Sequence, residues 1–155
     1  MRVHIGSDHA GFELKEALST HLTAQGHEVI DHGAFVYDAD DDYPGPCIDT
    51  GLAVVADPGS LGFVIGGSGN GEQIAANCVD GVRAALIWSE ETASLSREHN
   101  DANVAGIGAR MHDTATALRL ADIFIATPFS EGERHSRRIA KLASYEATGV
   151  VPPLT

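Results

Sequence analysis

Short apolar runs alternate with longer amphipathic segments along most of this chain. Residues 62–65 (Gly-Phe-Val-Ile) form an unbroken apolar run, as expected of a strand that is buried on both faces. Residues 12–24 instead carry leucine at every fourth position, Leu14, Leu18 and Leu22, which is the spacing of one helical face. This alternation predicts an α/β fold in which a parallel sheet of about five strands lies between two layers of helices.

The same pattern predicts where each element lies. The predicted strands are residues 3–5, 28–30, 62–65, 82–87 and 103–107. The predicted helices are residues 12–24, 46–56, 72–77, 89–98, 113–126 and one that begins near residue 130. Ser89 and Asp113 are expected N-caps, and Ser130 has capping-box spacing to Glu133. A length of 155 residues suits one domain, 1–155. The Pro-Pro pair within residues 147–155 indicates a non-helical C-terminal tail.

Composition narrows the possible functions. The chain has 22 Asp and Glu against 10 Lys and Arg, a formal net charge of −12, which disfavours nucleic acid and anionic membranes as partners. It has no run of 18 apolar residues that could span a membrane, and its N-terminus lacks the long apolar segment of a signal peptide. Cys47 and Cys78 form no C-x-x-C motif and are interpreted as small core residues. We therefore expect a cytoplasmic protein.

The strongest local motif is the segment at residues 66–71, Gly-Gly-Ser-Gly-Asn-Gly, here called the glycine loop. It lies between a predicted strand and a short predicted helix, so its amides can bind an anion or stabilise an oxyanion. The alternative is a tight strand-to-helix turn. It lacks the Lys-Ser/Thr pair of a P-loop, and Ile74 stands where a dinucleotide fingerprint needs glycine. Glu72, directly after the loop, is either a general base or a first-turn residue that complements the helix dipole.

Other polar groups follow predicted strands, whose carboxyl ends meet at one edge of a parallel sheet. Asp8-His9 follows the first strand as a paired acid and base, and the alternative for Asp8 is an N-cap. Arg110 follows the fifth strand. The acidic segment 38–42 resembles the start of a calcium loop but has Tyr43 where glycine is required, so we interpret it as a solvated loop with Tyr43 near the site.

Cations concentrate near the C-terminus of this acidic chain. They are Arg134, His135, Arg137, Arg138 and Lys141. Guanidinium groups suit phosphate, and the alternative is a solvated helix face. His99-Asn100 ends the helix after the fourth strand, near the amino ends of the strands. A catalytic His99 would therefore serve a neighbouring subunit's site. The alternative is a histidine that only stabilises the helix dipole. No His/Cys cluster has metal-ligand spacing, and Trp88 is interpreted as a packing residue.

The ordered set of motifs resembles the type B ribose-5-phosphate isomerases, a family that includes allose- and galactose-6-phosphate isomerases. The matching residues are 7–11, the glycine loop, 74–77, 83–84, His99, Asn100, Asn103, Arg134, His135 and Arg138. The resemblance covers essentially the whole chain. It implies a Rossmann-like three-layer α/β/α sandwich, an aldose–ketose isomerase without metal or cofactor, and dimers or tetramers with sites between subunits.

One position departs from the family pattern. Many members carry a base cysteine at the position of Gly66, whereas this sequence resembles an actinobacterial subgroup that uses a glutamate just after the loop. Glu72 matches that glutamate.

The resemblance implies that ribose 5-phosphate and ribulose 5-phosphate interconvert through a cis-enediolate, with Glu72 as base and Asp8 and His99 as the ring-opening pair. The fourth implied catalytic residue is Ser68, which adds a hydroxyl contact. The implied substrate-binding residues are the loop members Gly67, Gly69, Asn70 and Gly71, together with His9, Tyr43, Asn100, Arg110, Arg134, His135 and Arg138. Another sugar phosphate as substrate, a nucleotide- or flavin-binding module and a non-catalytic sugar-phosphate-binding protein remain as alternatives.

Overall fold

The computed structural model describes residues 1–154, and its central element is a parallel sheet of five strands in the order β2-β1-β3-β5-β4. The strands are β1 (Arg2–Ser7), β2 (Glu28–Asp31), β3 (Leu61–Gly66), β4 (Ala84–Leu86) and β5 (Val104–Gly108). Every residue of β3 is buried, as its unbroken apolar run predicted. The prediction of a parallel sheet of five strands is therefore confirmed.

Helices cover both faces of the sheet. They are α1 (Phe12–Ala24), α2 (Pro44–Ala56), α3 (Asn70–Ala76), α4 (Glu90–Asn100), α5 (Thr114–Ala126) and α6 (Glu133–Thr148). One apolar cluster joins the sheet to α1, α4 and α5, and includes Leu18, Ala93 and Phe124. A second cluster joins the opposite face to α2 and α3 through Cys47, Val54 and Ala76. The arrangement is the three-layer α/β/α sandwich that the sequence predicted.

The strand order fixes where a ligand can enter. β1 and β3 are neighbours, and the chain leaves β1 towards β2 but leaves β3 towards the other half of the sheet. The helices that follow them, α1 and α3, therefore pack on opposite faces. Between two such strands the connections diverge and leave a crevice at the carboxyl ends. Asp8 and the glycine loop follow these two strands.

Several local predictions were wrong. The N-cap of α6 is Gly132, and Ser130 Oγ donates to the carbonyl of Glu98 at 2.6 Å instead of capping the helix. Cys47 is buried as predicted, but Cys78 is exposed. Trp88 is 62% exposed and does not pack in the core.

The C-terminal tail begins after α6, at Gly149. α6 continues to Thr148, and Gly149 closes it with a φ of 67°; the last tail position, Thr155, lies outside the described residues. Within residues 1–154, no helix combines the length and apolar character needed to cross a bilayer.

Candidate active site

The segments that follow β3 and β5 meet at the carboxyl edge of the sheet. The amide of Ala109 donates to the Gly66 carbonyl at 2.8 Å, and the amide of Arg110 donates to the Gly67 carbonyl at 3.1 Å. Arg110 Nη1 lies 3.4 Å from the position that a Cβ on Gly67 would take. The segment after β5 is therefore tied to the glycine loop after β3, and the Arg110 side chain lies against that loop.

Glu72 lies in the first turn of α3 and is only 4% exposed. Its Oε2 atom is buried and has no hydrogen-bond partner among the described residues. Burial raises the pKa of Glu72, and the negative charge of Asp8 raises it further, whereas the backbone amides of Glu72 and Gly69 act in the opposite direction. Such a carboxylate is a stronger base than a solvated one.

The Glu72 carboxylate occupies the space beside Gly66. A Cβ placed on Gly66 would overlap Oε1 and the carboxyl carbon of Glu72. Position 66 consequently has room for glycine only while Glu72 holds this orientation. The side chain is directed back over the start of the glycine loop and not into bulk solvent.

The glycine loop has little space for side chains. Gly69 is the N-cap of α3 with a φ of 79°, and a Cβ there would lie 2.7 Å from Leu86 Cδ1. A Cβ on Gly71 would lie 2.7 Å from Cζ of Tyr43, which places the Tyr43 ring against the loop. Ser68 Oγ accepts from the backbone amide of Asn70 at 3.3 Å. Glycine at positions 69 and 71 thus lets the loop backbone pack directly against the side chains of Leu86 and Tyr43.

Asp8 and His9 lie at the end of β1, beside Glu72. Asp8 is 7% exposed, and its Oδ1 accepts from the amides of Ala10 and Gly11 at 2.9 and 3.1 Å. The N-cap of α1 is Gly11, so Asp8 stabilises the turn before the helix and is not itself the N-cap. His9 bonds Asp41 through both its backbone amide and Nδ1. Asp41 was not among the predicted site residues, because an acidic run by itself indicates a solvated loop.

Two features bear on other chemistry at this edge. Ligand-type atoms of Asp8, His9 and Asp41 lie within 4.8 Å of one another, but His9 Nδ1 and Asp41 Oδ1 already bond at 2.7 Å, which accounts for the cluster without an ion. Cys47 is buried in α2, where burial and the negative charges of Glu72 and Asp8 raise the pKa of its thiol strongly. The thiol stays protonated at neutral pH and is not available as a base.

A second group of predicted site residues lies at the opposite edge of the sheet. Arg83, just before β4, donates from Nε to the Asn100 carbonyl at 2.9 Å, which places the end of α4 at the amino end of β4. The rings of His99 and His135 stack 4.2 Å apart at an angle of 9°. Burial lowers the pKa of His135, and the charges of His99, Arg134 and Arg138 lower it further. We call His99, Asn100, Arg134, His135 and Arg138 the His99 cluster.

The structure therefore divides the predicted residues into two sets. The carboxyl edge holds Asp8, His9, Tyr43, Glu72, Arg110 and the loop residues Gly67, Ser68, Gly69, Asn70 and Gly71, here called the Glu72 cluster. The amino edge holds the His99 cluster. Across residues 1–154 no hydrogen bond or ring contact joins the two sets.

The comparisons with known proteins agree with this geometry. Residues 3–142 match the model of the family described as Ribose/Galactose Isomerase. The chain is 61% identical to the ribose-5-phosphate isomerase B of Mycolicibacterium paratuberculosis, over 99% of this chain and 97% of that protein. It superimposes on the ribose-5-phosphate isomerase B of Clostridium thermocellum with a TM-score of 0.92 and 38% identity, over 97% of this chain and 100% of that one. The Mycoplasma genitalium enzyme, solved with bound ribulose-5-phosphate, gives a TM-score of 0.90 and 38% identity over 95% and 97% of the two chains.

Proposed function

The chain belongs to the ribose/galactose isomerase family, and we propose that it is a type B ribose-5-phosphate isomerase that interconverts ribose 5-phosphate and ribulose 5-phosphate. Relatives that this chain matches over nearly their whole length carry that name. A similar structure was solved with the ketose product bound. The observation that carries the assignment in this chain is the buried Glu72 carboxylate beside a loop of backbone amides.

Glu72 is the general base of the proposed reaction. It takes the proton from C2 of the open-chain aldose and returns it to C1, while the proton of the C2 hydroxyl passes to the C1 oxygen, so that the carbonyl moves from C1 to C2 through a cis-enediolate. A sugar C–H is a far weaker acid than a carboxylic acid, so the developing oxyanion needs stabilisation as the proton leaves. The amides of the glycine loop supply it, and one such donor is typically worth about 3–4 kcal/mol.

The crowding at Gly66 supports Glu72 as the replacement for a cysteine base. In relatives with cysteine at that position, the side chain starts from the Cα that here faces the Glu72 carboxylate. Because a Cβ on Gly66 would overlap that carboxylate, the two bases would compete for one volume. A chain of this family can hold one or the other, and this one has glycine and glutamate.

The separation of the two clusters supports a homodimer in which each site takes residues from both subunits. The partner subunit's His99 would face Asp8 for ring opening, and the partner's Arg134 and Arg138 would join Arg110 on the phosphate. Guanidinium forks suit phosphate oxygens. α6 has no buried residue in the isolated chain, and its Leu142 and Tyr145 line a groove beside β4, as expected of a surface that a second copy covers.

The test is an isomerase assay on the purified full chain. Glu72→Gln keeps the shape of the side chain but cannot accept the proton, so kcat should fall by about 10²–10⁴-fold, with ribose 5-phosphate binding retained in calorimetry. Glu91→Gln makes the same change in the exposed first turn of α4 and should leave kcat unchanged. Near-normal turnover by Glu72→Gln would remove Glu72 as the base.

A panel of aldose phosphates identifies the substrate. The highest kcat/KM should be for ribose 5-phosphate among four-, five- and six-carbon sugars. Faster turnover of another sugar phosphate would reassign the substrate within the family, and binding without turnover of any would indicate a sugar-phosphate-binding protein.

A further inference from the structure

His9 is held by a single carboxylate oxygen from a distant part of the chain. Asp41 Oδ1 accepts from the backbone amide of His9 at 2.8 Å and bonds its ring Nδ1 at 2.7 Å. The two side chains are 25% and 22% exposed, so both contacts are partly shielded from water. One oxygen thus fixes both the main chain and the ring of His9.

These contacts determine the protonation of the ring. A carboxylate only accepts hydrogen bonds, so Nδ1 must carry a proton, and Nε2 is the ring nitrogen that Asp41 leaves free to bind another group. The Tyr37 ring meets the His9 ring edge to face, with 6.3 Å between their centroids. In its neutral form the imidazole is therefore held in one tautomer, and its contacts with Asp41 and Tyr37 fix its position.

The charges around His9 favour its cationic form. The Asp41 hydrogen bond is the largest influence and raises the pKa of His9; the charges of Asp8 and Asp41 act in the same direction, and burial and Arg110 oppose them. Arg110 is a second cation close to His9, and it lies beside Gly67. His9 and Arg110 follow β1 and β5, the two strands that flank β3 in the sheet.

We propose that Asp41 is a positioning residue for substrate binding, which holds His9 as an imidazolium whose Nε2–H donates to the substrate phosphate together with Arg110. This inference rests on the proposed function for its substrate, but the coupling of Asp41 to His9 is a property of the free protein. Asp41 touches no reacting atom in this scheme. It acts on KM, through His9, and not on proton transfer at C2.

The sign of the pH dependence follows from the cationic form. Asp41 raises the pKa of His9, so the imidazolium persists above the ordinary histidine value of about 6.5. Phosphate binding is strongest while the ring is charged, and KM rises as pH increases through the pKa of His9. Without the Asp41 charge, that rise in KM occurs at lower pH.

The test compares Asp41→Asn with Asp40→Asn, the same change at an exposed neighbouring position. An asparagine oxygen can still accept from the His9 amide, so the loop stays in place while the charge is lost. We expect KM for ribose 5-phosphate at neutral pH to rise several-fold in Asp41→Asn with kcat nearly unchanged, and Asp41→Glu, which restores the charge, to recover part of the loss. A KM equal to that of Asp40→Asn, or a loss confined to kcat, overturns the proposal.

A direct titration of His9 by NMR separates this inference from the proposed function. In the wild-type chain without substrate, the His9 ring should titrate above about 6.5, carry its neutral-form proton on Nδ1, and shift when inorganic phosphate is added. The Asp41→Asn variant should titrate lower. A wild-type His9 that titrates below the ordinary value, or whose neutral form carries the proton on Nε2, overturns the proposal even if no variant folds. If His9 titrates as expected but the chain does not isomerise ribose 5-phosphate, only the proposed function is overturned.

Discussion

In the folded chain Glu72 is almost fully buried, and its Oε2 has no hydrogen-bond partner among the described residues. A carboxylate in that state is costly to ionise, which is why its pKa rises. The amides of Glu72 and Gly69 recover part of the cost for the charged form. The residue is thus adapted to accept a proton more strongly than a surface glutamate, at the expense of some stability in the free enzyme.

This raised pKa predicts the acid limb of the rate profile. A base works only when ionised, so kcat/KM should fall as pH decreases through the pKa of Glu72, at a pH above the ordinary 4.5. Asp8→Asn removes a negative charge that raises this pKa and should move the midpoint of the limb to lower pH, while the substrate's own phosphate titration stays in place. Rate profiles of the two proteins measure the difference. A midpoint that does not move would show that Asp8 and Glu72 are not coupled.

Gly66 provides a second prediction at the scale of single residues. In Gly66→Ala the new methyl would occupy the place of the Glu72 carboxylate, so the base must leave its position and kcat should fall sharply. Overpacking of this kind also costs about 1–3 kcal/mol of stability. Gly45→Ala is the matched control, because a Cβ there meets nothing within 4 Å. Turnover and urea unfolding of both variants test this, and equal activity of the Gly66→Ala and Gly45→Ala enzymes would contradict the placement of Glu72.

Single residues also show how far the sequence alone could lead. The glycine loop and Glu72 stand together in sequence, so one motif predicts their contact. Asp41 lies in a segment without helix or strand and bonds His9, which stands 32 positions earlier in the chain. No local sequence pattern indicates that pairing. Burial of Cys47 beside Glu72 and Asp8 is likewise a result of packing between α2 and the sheet.

At the scale of elements, α4 connects the two edges of the sheet. It starts at a reciprocal cap, in which the Thr92 amide donates to Ser89 Oγ at 3.2 Å and the Ser89 amide donates to Thr92 Oγ1 at 3.0 Å. It ends at Asp101 in the left-handed region, with a φ of 44°. Because His99 lies in its last turn, the cap at one edge helps to fix a predicted catalytic residue at the other.

Removing that cap should therefore have a measurable cost. Ser89→Ala leaves the first amides of α4 without their acceptor, and such substitutions cost about 1 kcal/mol of unfolding free energy. Ser94→Ala, at a half-buried mid-helix position where the hydroxyl donates only to Glu91 within the same helix, should change the unfolding free energy little. Urea unfolding of both variants measures the difference. Equal stabilities would mean that tertiary packing alone holds the start of α4.

Two of the three capping predictions illustrate why local rules succeed or fail. Ser89 caps its helix because its hydroxyl bonds only within the first turn, where Oγ accepts from the Thr92 amide and donates to Thr92 Oγ1. Ser130 has the right spacing to Glu133, but its hydroxyl donates to Glu98 and ties the start of α6 to the end of α4. That tertiary contact positions His135 over His99, and the sequence rule cannot anticipate it.

At the scale of the whole molecule, strand–helix alternation already assigns each motif to one edge of the sheet. It predicts that segments after strands gather at the carboxyl edge and that a helix returning from β4 ends at the amino edge. The structure has both features. The sequence could not show how a second copy would join the two edges, because that depends on the shape of surfaces such as the groove beside β4 and not on any pattern within one chain.

The proposed division of the site between two subunits predicts complementation between inactive variants. Glu72→Gln damages one cluster and His99→Asn the other, so a mixed dimer contains one site with both clusters intact. Random pairing makes half of the dimers mixed and restores half of their sites, about one quarter of wild-type activity. Refolding the two inactive proteins together and assaying isomerisation tests this. Glu72→Gln refolded by itself is the control, because every site in that sample lacks the carboxylate. If the mixture stays as inactive as the control, the two clusters do not form one site across the dimer, and the His99 cluster loses its assigned part in ring opening and phosphate binding.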